Sequence, residues 1–128
     1  MRLNDSVALR NWMARDDNSS LVIPADQANA LAYSGTIATD ANLADVFGIV
    51  ATNGSAFTIS NPTNAFSGRI ITYDIKNSSG GALGAITWGA AFLLAGAFTN
   101  PANGKRRTIT FYYDGTSWVE TNRAAADI

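Results

Sequence analysis

From Leu43 to the C-terminus the chain alternates short runs of apolar and β-branched residues with Gly, Asn, Ser and Asp turns. The turn signals recur at roughly 8–12 residues, the spacing of a β-sandwich or small barrel. Strands are predicted over 46–52, 56–60, 68–77, 83–88, 91–95, 105–114 and 117–121. The clearest, 68–77, puts Ile71, Tyr73 and Ile75 on one face and Ile70, Thr72, Asp74 and Lys76 on the other. In 105–114, Ile109, Phe111 and Tyr113 point inward while Thr108, Thr110 and Tyr112 point outward. Asn53 with Gly54, and Asp114 with Gly115, suit tight hairpin turns. The connections are too short for the helical crossovers of parallel strands, so the sheets are expected to be mainly antiparallel.

Residues 1–42 differ in character. Asp5 or Ser6 is placed to cap a short helix over 7–15, where Leu9, Trp12 and Met13 form one apolar stripe at i, i+3, i+4. Pro24 makes 21–24 extended, and 25–33 reads as a second short helix. Neither helix is long enough to be stable alone, so the segment is expected to dock on its own β domain or on a neighbouring chain. The expected organisation is an N-terminal arm over 1–42, extended with short helical segments, and a β-sandwich domain over 43–128.

Composition excludes several chemistries. The chain has no Cys and no His, hence no disulfide, thiolate site, Ser–His–Asp triad or imidazole base. Nine Lys and Arg against ten Asp and Glu give a net charge of −1, which argues against direct nucleic-acid binding through a basic patch. Residues 1–20 lack the uninterrupted apolar stretch of a signal peptide. Residues 82–98 carry no charge, but Gly84, Gly89 and Gly96 divide them. They read as two short buried strands joined at Gly89, not as a membrane span. Synthesis in the cytoplasm and no membrane partner are expected.

The remaining candidates favour interfaces over catalysis. Asp16 with Asp17, Asp40 with Asp45, and Asp74 with Asp114 fall in polar turns or on outward strand faces, where solvated or capping Asp is the usual case. Lys105, Arg106 and Arg107 form one basic cluster, read as guarding a strand start and, alternatively, as meeting an anionic partner. Among the aromatics, Trp12 on its short arm, Tyr112 on an outward face and Trp118 are candidate interface anchors, since Trp and Tyr dominate binding hot spots. No cofactor or metal ligand set is found.

Residues 51–120 resemble a module of tailed-bacteriophage virion proteins. The resemblance lies in Asn53-Gly54, Asn61-Pro62, Ile71-Thr72-Tyr73, the glycine-rich turn 79–84, Ile86-Thr87-Trp88-Gly89, the loop 101–105, the strand 108–111 and the hairpin 113–120. It implies a small antiparallel β-sandwich of jelly-roll type that forms homotrimers. It also implies a non-enzymatic virion protein: a capsid decoration (cement) protein on the major capsid protein lattice, or the receptor-binding tip of a tail or head fibre. Under the cement role, Leu9, Trp12 and Met13 engage the capsid. Under the fibre role, Tyr112, Trp118 and the 105–107 cations contact host glycan.

Overall fold

The computed structural model describes residues 29–128, and all of the elements within them are strands. In chain order they are β1 (Asn29–Ala30), β2 (Thr36–Ile37), β3 (Val46–Ala51), β4 (Phe57–Ile59), β5 (Ile70–Asn77), β6 (Ile86–Trp88), β7 (Phe92–Leu93), β8 (Arg106–Tyr113) and β9 (Trp118–Arg123). A larger sheet has the order β1-β3-β5-β8-β9-β7, and a smaller one the order β2-β4-β6. The first six strands therefore alternate between the two sheets.

This alternation overturns the expected antiparallel jelly roll. β1, β3 and β5 pair in parallel, and so do β2, β4 and β6, a solenoid-like arrangement. Parallel neighbours need a crossover of a dozen or more residues, which is usually a helix. Here each crossover runs through a strand of the other sheet. The chain leaves β3, forms β4, and returns as β5 beside β3. Asn53 and Gly54 accordingly turn the chain from one sheet to the other and do not close a hairpin. Among the described residues only the C-terminal part is antiparallel: β8 lies beside β5, and β9 folds back on β8. That hairpin turns at Asp114 and Gly115. Gly115 has φ 103°, and Asp114 Oδ1 accepts hydrogen bonds from the N–H groups of Thr116 (2.8 Å) and Ser117 (2.7 Å). β7 closes the far edge, parallel to β9.

Residues 29–42 supply β1 and β2 and bury Ile37, Thr39 and Ala41. The helix expected over 25–33 is absent from its described part, where β1 forms instead. The helix over 7–15, with Leu9, Trp12 and Met13, lies outside the described residues. At the other terminus Ile128 exchanges backbone hydrogen bonds with Arg106, 3.0 and 3.1 Å, so the tail is held on β8.

Parallel register stacks like on like. Thr36, Thr58 and Thr87 form one row, and Ile37, Ile59 and Trp88 the next. In the larger sheet Phe47 faces Tyr73 and Ile49 faces Ile75. The inward alternation expected for β5 and β8 holds: Ile71, Tyr73, Ile75, Ile109 and Phe111 are fully buried. Tyr73 sits at the centre. Its ring meets Phe47, Trp88, Phe92 and Phe111 at centroid distances of 5.8–6.3 Å. Its hydroxyl lies 2.7 Å from Thr39 Oγ1, and burial pushes its pKa above the ordinary tyrosine value. Where β6 ends, Gly89 backs onto Asn61. A Cβ there would stand 2.8 Å from the Asn61 backbone nitrogen, closer than packing allows. The Asn61 side chain in turn accepts the Ala91 N–H at 3.0 Å.

Removing the Tyr73 hydroxyl strands a buried partner. Tyr73→Phe should destabilise the protein by about 1–3 kcal/mol, because Thr39 keeps an unpaired buried hydroxyl. Thr39→Val placed on top should cost much less than it does alone. Urea unfolding of the four proteins measures the coupling; strictly additive losses would contradict the bond.

Candidate interaction surface

Outward-facing residues of the larger sheet change in chemistry along the strands. The register sets Ile70 beside Tyr112, Tyr112 beside Val119 and Val119 beside Leu93. This gives an apolar row across four strands. Ile70 is 54% exposed, Leu93 52% and Tyr112 38%, and Phe66, in the loop before β5, is 50% exposed. Next along the strands comes a threonine row, with Thr72 and Thr110 hydroxyls 2.8 Å apart. Asp74 beside Thr108 follows, then Lys76 beside Arg106. The face thus runs from an apolar row at one end to Lys76 and Arg106 at the other, where Val50, beside Lys76, is also exposed. Scattered exposed apolar side chains are ordinary, but a contiguous row of them is what marks an interaction surface.

Arg69 fixes the loops at the apolar end. Its Nε donates to the Ala41 carbonyl at 2.6 Å, and its terminal nitrogens donate to Asp45 Oδ1 at 2.7 Å, to the Ile70 carbonyl at 2.9 Å and to the Ala44 carbonyl. Beside it lies an open depression of about 480 Å³ with Val46, Phe66 and Ile70 among its walls. At the Leu93 end, Arg123 and Glu120 tie down the loop after β7. The pair forms two bonds of 2.6 Å; Glu120 also accepts the Ala95 N–H at 2.7 Å, and Arg123 donates to the Ala97 carbonyl at 2.7 Å. The guanidinium lies 5.9 Å from the centre of the Phe98 ring.

The sequence candidates separate. Tyr112 lies in the apolar row. Trp118 is 1% exposed and packs in the core, its ring 4.9 Å from that of Tyr113, so it offers no surface to a partner. Leu9, Trp12 and Met13 lie outside the described residues. Of the 105–107 cations, Arg106 and Arg107 lie on opposite faces of β8, and Lys105 precedes the strand. Arg107 turns to Asp127, with Nε 2.5 Å from Oδ1. Arg106 lies outward, its Nε 3.2 Å from Asp74 Oδ1 but not aligned for a hydrogen bond. Tyr112 and Arg106 stand six residues apart on one strand, about 20 Å. Ile70, Phe66 and Leu93 were not singled out from the sequence. For Ile70 the signal was present, since the alternation of 68–77 points this large apolar side chain outward.

Among the described residues, the shifted carboxylates are structural braces. The Arg123 hydrogen bond holds the Glu120 carboxyl below its ordinary pKa. The Ala102 N–H, and then Arg107, do the same for Asp127. The backbone N–H groups of Ser117 and Thr116 lower Asp114. Among the described residues no three His, Cys, Asp or Glu side chains converge as a metal site would require.

Lowered carboxylate pKa values set the sign of the pH response. Their stabilisation is complete above the ordinary value of about 4 and is lost as pH falls below it, through the lower folded values. Melting temperature should therefore hold steady from pH 7 to about 5 and then fall steeply below about 4. Glu120→Gln should lower the neutral-pH value and flatten the acid limb. A melting temperature unchanged down to pH 2 would contradict this bracing.

Comparison with protein-family models, curated proteins and solved structures finds no match to the chain.

Proposed function

We propose that the chain is a structural protein of a tailed-bacteriophage virion, a capsid decoration (cement) protein that binds the capsid lattice as a homotrimer after synthesis in the host cytoplasm. The resemblance of residues 51–120 carries this reading. The positions that carry the resemblance also build the fold, which supports treating them as one module. Ile71, Tyr73, Phe111 and Trp118 are buried, Trp88 packs against them, and Gly89 rests on Asn61.

Mechanically, the two sheets form a rigid block. Leu9, Trp12 and Met13 on the arm contact capsid protein, and the block bridges neighbouring lattice positions. Each contact can be weak, because many copies on one lattice act together. The fibre-tip reading needs Tyr112, Trp118 and the 105–107 cations to act as one glycan platform. With Trp118 in the core and Arg106 and Arg107 on opposite faces, the cement role is the better supported of the two.

Electron microscopy of particles carrying the protein tests the role. The expected density lies on the capsid surface, and deletion of residues 1–20 should reduce occupancy at least tenfold while the β domain still folds. Density on the tail, or undiminished occupancy of the truncated chain, would refute it.

A further inference from the structure

Two Asn–Gly pairs lie among the described residues, Asn53-Gly54 and Asn103-Gly104, and both are exposed. Asn followed by Gly is the pair at which the next backbone nitrogen most readily attacks the side-chain carbonyl, because glycine has no Cβ to hinder it. The fold treats the two pairs differently. Gly104 donates its N–H to the Asn77 carbonyl at 2.8 Å, and Asn103 Oδ1 accepts the Gly80 N–H at 3.0 Å. Nucleophile and side chain are each held there by a partner of their own. The Gly54 N–H, by contrast, has no hydrogen-bond partner among the described residues. Asn53 Oδ1 accepts the Ser55 N–H at 2.9 Å, which folds the side chain over the Gly54 peptide. The Tyr33 hydroxyl lies 3.1 Å from the same Oδ1 and 3.3 Å from the Asn53 carbonyl oxygen. A depression of about 310 Å³ lined by Tyr33, Thr52, Asn53 and Ser55 admits water to the site.

We propose that Asn53 is a site of spontaneous deamidation in the folded protein, assisted by the Tyr33 hydroxyl and the Ser55 N–H. The Gly54 nitrogen gives up its proton to solvent and attacks Asn53 Cγ. The new N–Cγ bond closes a succinimide ring, the Cγ–Nδ2 bond breaks, and Nδ2 takes a proton from solvent and leaves as ammonia. Water then opens the ring to aspartate or isoaspartate. One water is consumed and one ammonia released, with no change of oxidation state. Negative charge develops on two oxygens along this path. The Asn53 peptide oxygen takes it as the Gly54 nitrogen is deprotonated, and Oδ1 takes it as Cγ becomes tetrahedral. Tyr33 reaches both oxygens, and the Ser55 N–H already points at the second. Donors preorganised at such oxygens stabilise the transition states of acyl transfer. The aspartate product also fits, since a carboxylate keeps both bonds to Oδ1, and Nδ2 has no hydrogen bond to a described residue that could be lost. Asn77, which precedes Ser78, is the opposite case. Its Nδ2 donates to the Gly81 and Pro101 carbonyls, and the Ser78 N–H is bound to the Ala51 carbonyl. Deamidation at Asn53 adds one negative charge at the corner between β3 and β4. The inference concerns the chain's own chemistry and does not rest on the virion role.

Peptide mapping by mass spectrometry tests it, on the full chain incubated at mildly alkaline pH and on the same chain unfolded in urea. In the folded protein the gain of one mass unit should accumulate at Asn53 at least about tenfold faster than at Asn103. In urea, where neither pair keeps its partners, the two rates should agree within about threefold. Tyr33→Phe removes the hydroxyl and keeps the ring that meets Phe57 edge-on at 5.4 Å, so the fold should persist. This variant should slow Asn53 in the folded protein by at least about threefold and leave the rate in urea unchanged. Equal rates at Asn53 and Asn103 in the folded protein would overturn the proposal. So would a Tyr33→Phe protein that keeps its melting temperature and deamidates at the wild-type rate. The comparison of the two sites needs no variant, so it decides the matter whatever Tyr33→Phe does to stability.

Discussion

Tyr73 is the point through which the fold is held together. Its ring touches Phe47 from the preceding turn of chain, Trp88 from the smaller sheet, Phe92 from the far edge strand and Phe111 from the antiparallel neighbour. Its hydroxyl reaches Thr39, just past β2. Five separate segments thus meet one side chain. Edge-to-face aromatic contacts contribute about 0.5–1.5 kcal/mol each beyond their buried area. A slip of one residue in β5 would replace Tyr73 with Thr72 or Asp74 and turn the whole apolar set of that strand to solvent.

Around that hub, short and polar features keep the block from pairing indiscriminately. Among the described residues the larger sheet ends in β1 and β7, each of two residues, and edge strands this short offer little backbone to recruit another strand. Arg69 at one end and the Glu120–Arg123 pair at the other pin the loops that flank the outer face. The exposed apolar row is thereby presented by fixed backbone, as an interaction surface needs. Threonines separate it from the cations, so the two ends of the face differ in what they attract.

Most of this was legible strand by strand, and much less of it sheet by sheet. Alternation in 68–77 and 105–114 predicted the buried faces of β5 and β8 because a period of two is a local property. The partner of a strand is not local. Asn53 and Gly54 fit a hairpin, but the same residues serve a corner between sheets, and among the described residues Gly54 is not one of the glycines at positive φ. β1 and β2 are too short to show a period. Trp118 drew notice as an aromatic near the surface, yet its pairing with Tyr113, itself on the inward face, turns it to the core. The close approach of Gly89 to Asn61 is another contact that their spacing in sequence does not reveal.

Parallel stacking of β3 on β5 is the claim on which both the hub and the outer face depend. The chain lacks cysteine, so spin labels can be placed without background. Two double-cysteine variants suffice, one at Val46 and Thr72 and one at Val50 and Lys76, measured by dipolar broadening of the nitroxide spectrum. Parallel register makes both pairs direct neighbours, about 5 Å apart at Cα, so both spectra should broaden strongly. An antiparallel pairing can bring at most one of the two pairs together, and a single broadened spectrum, or none, would contradict the fold described.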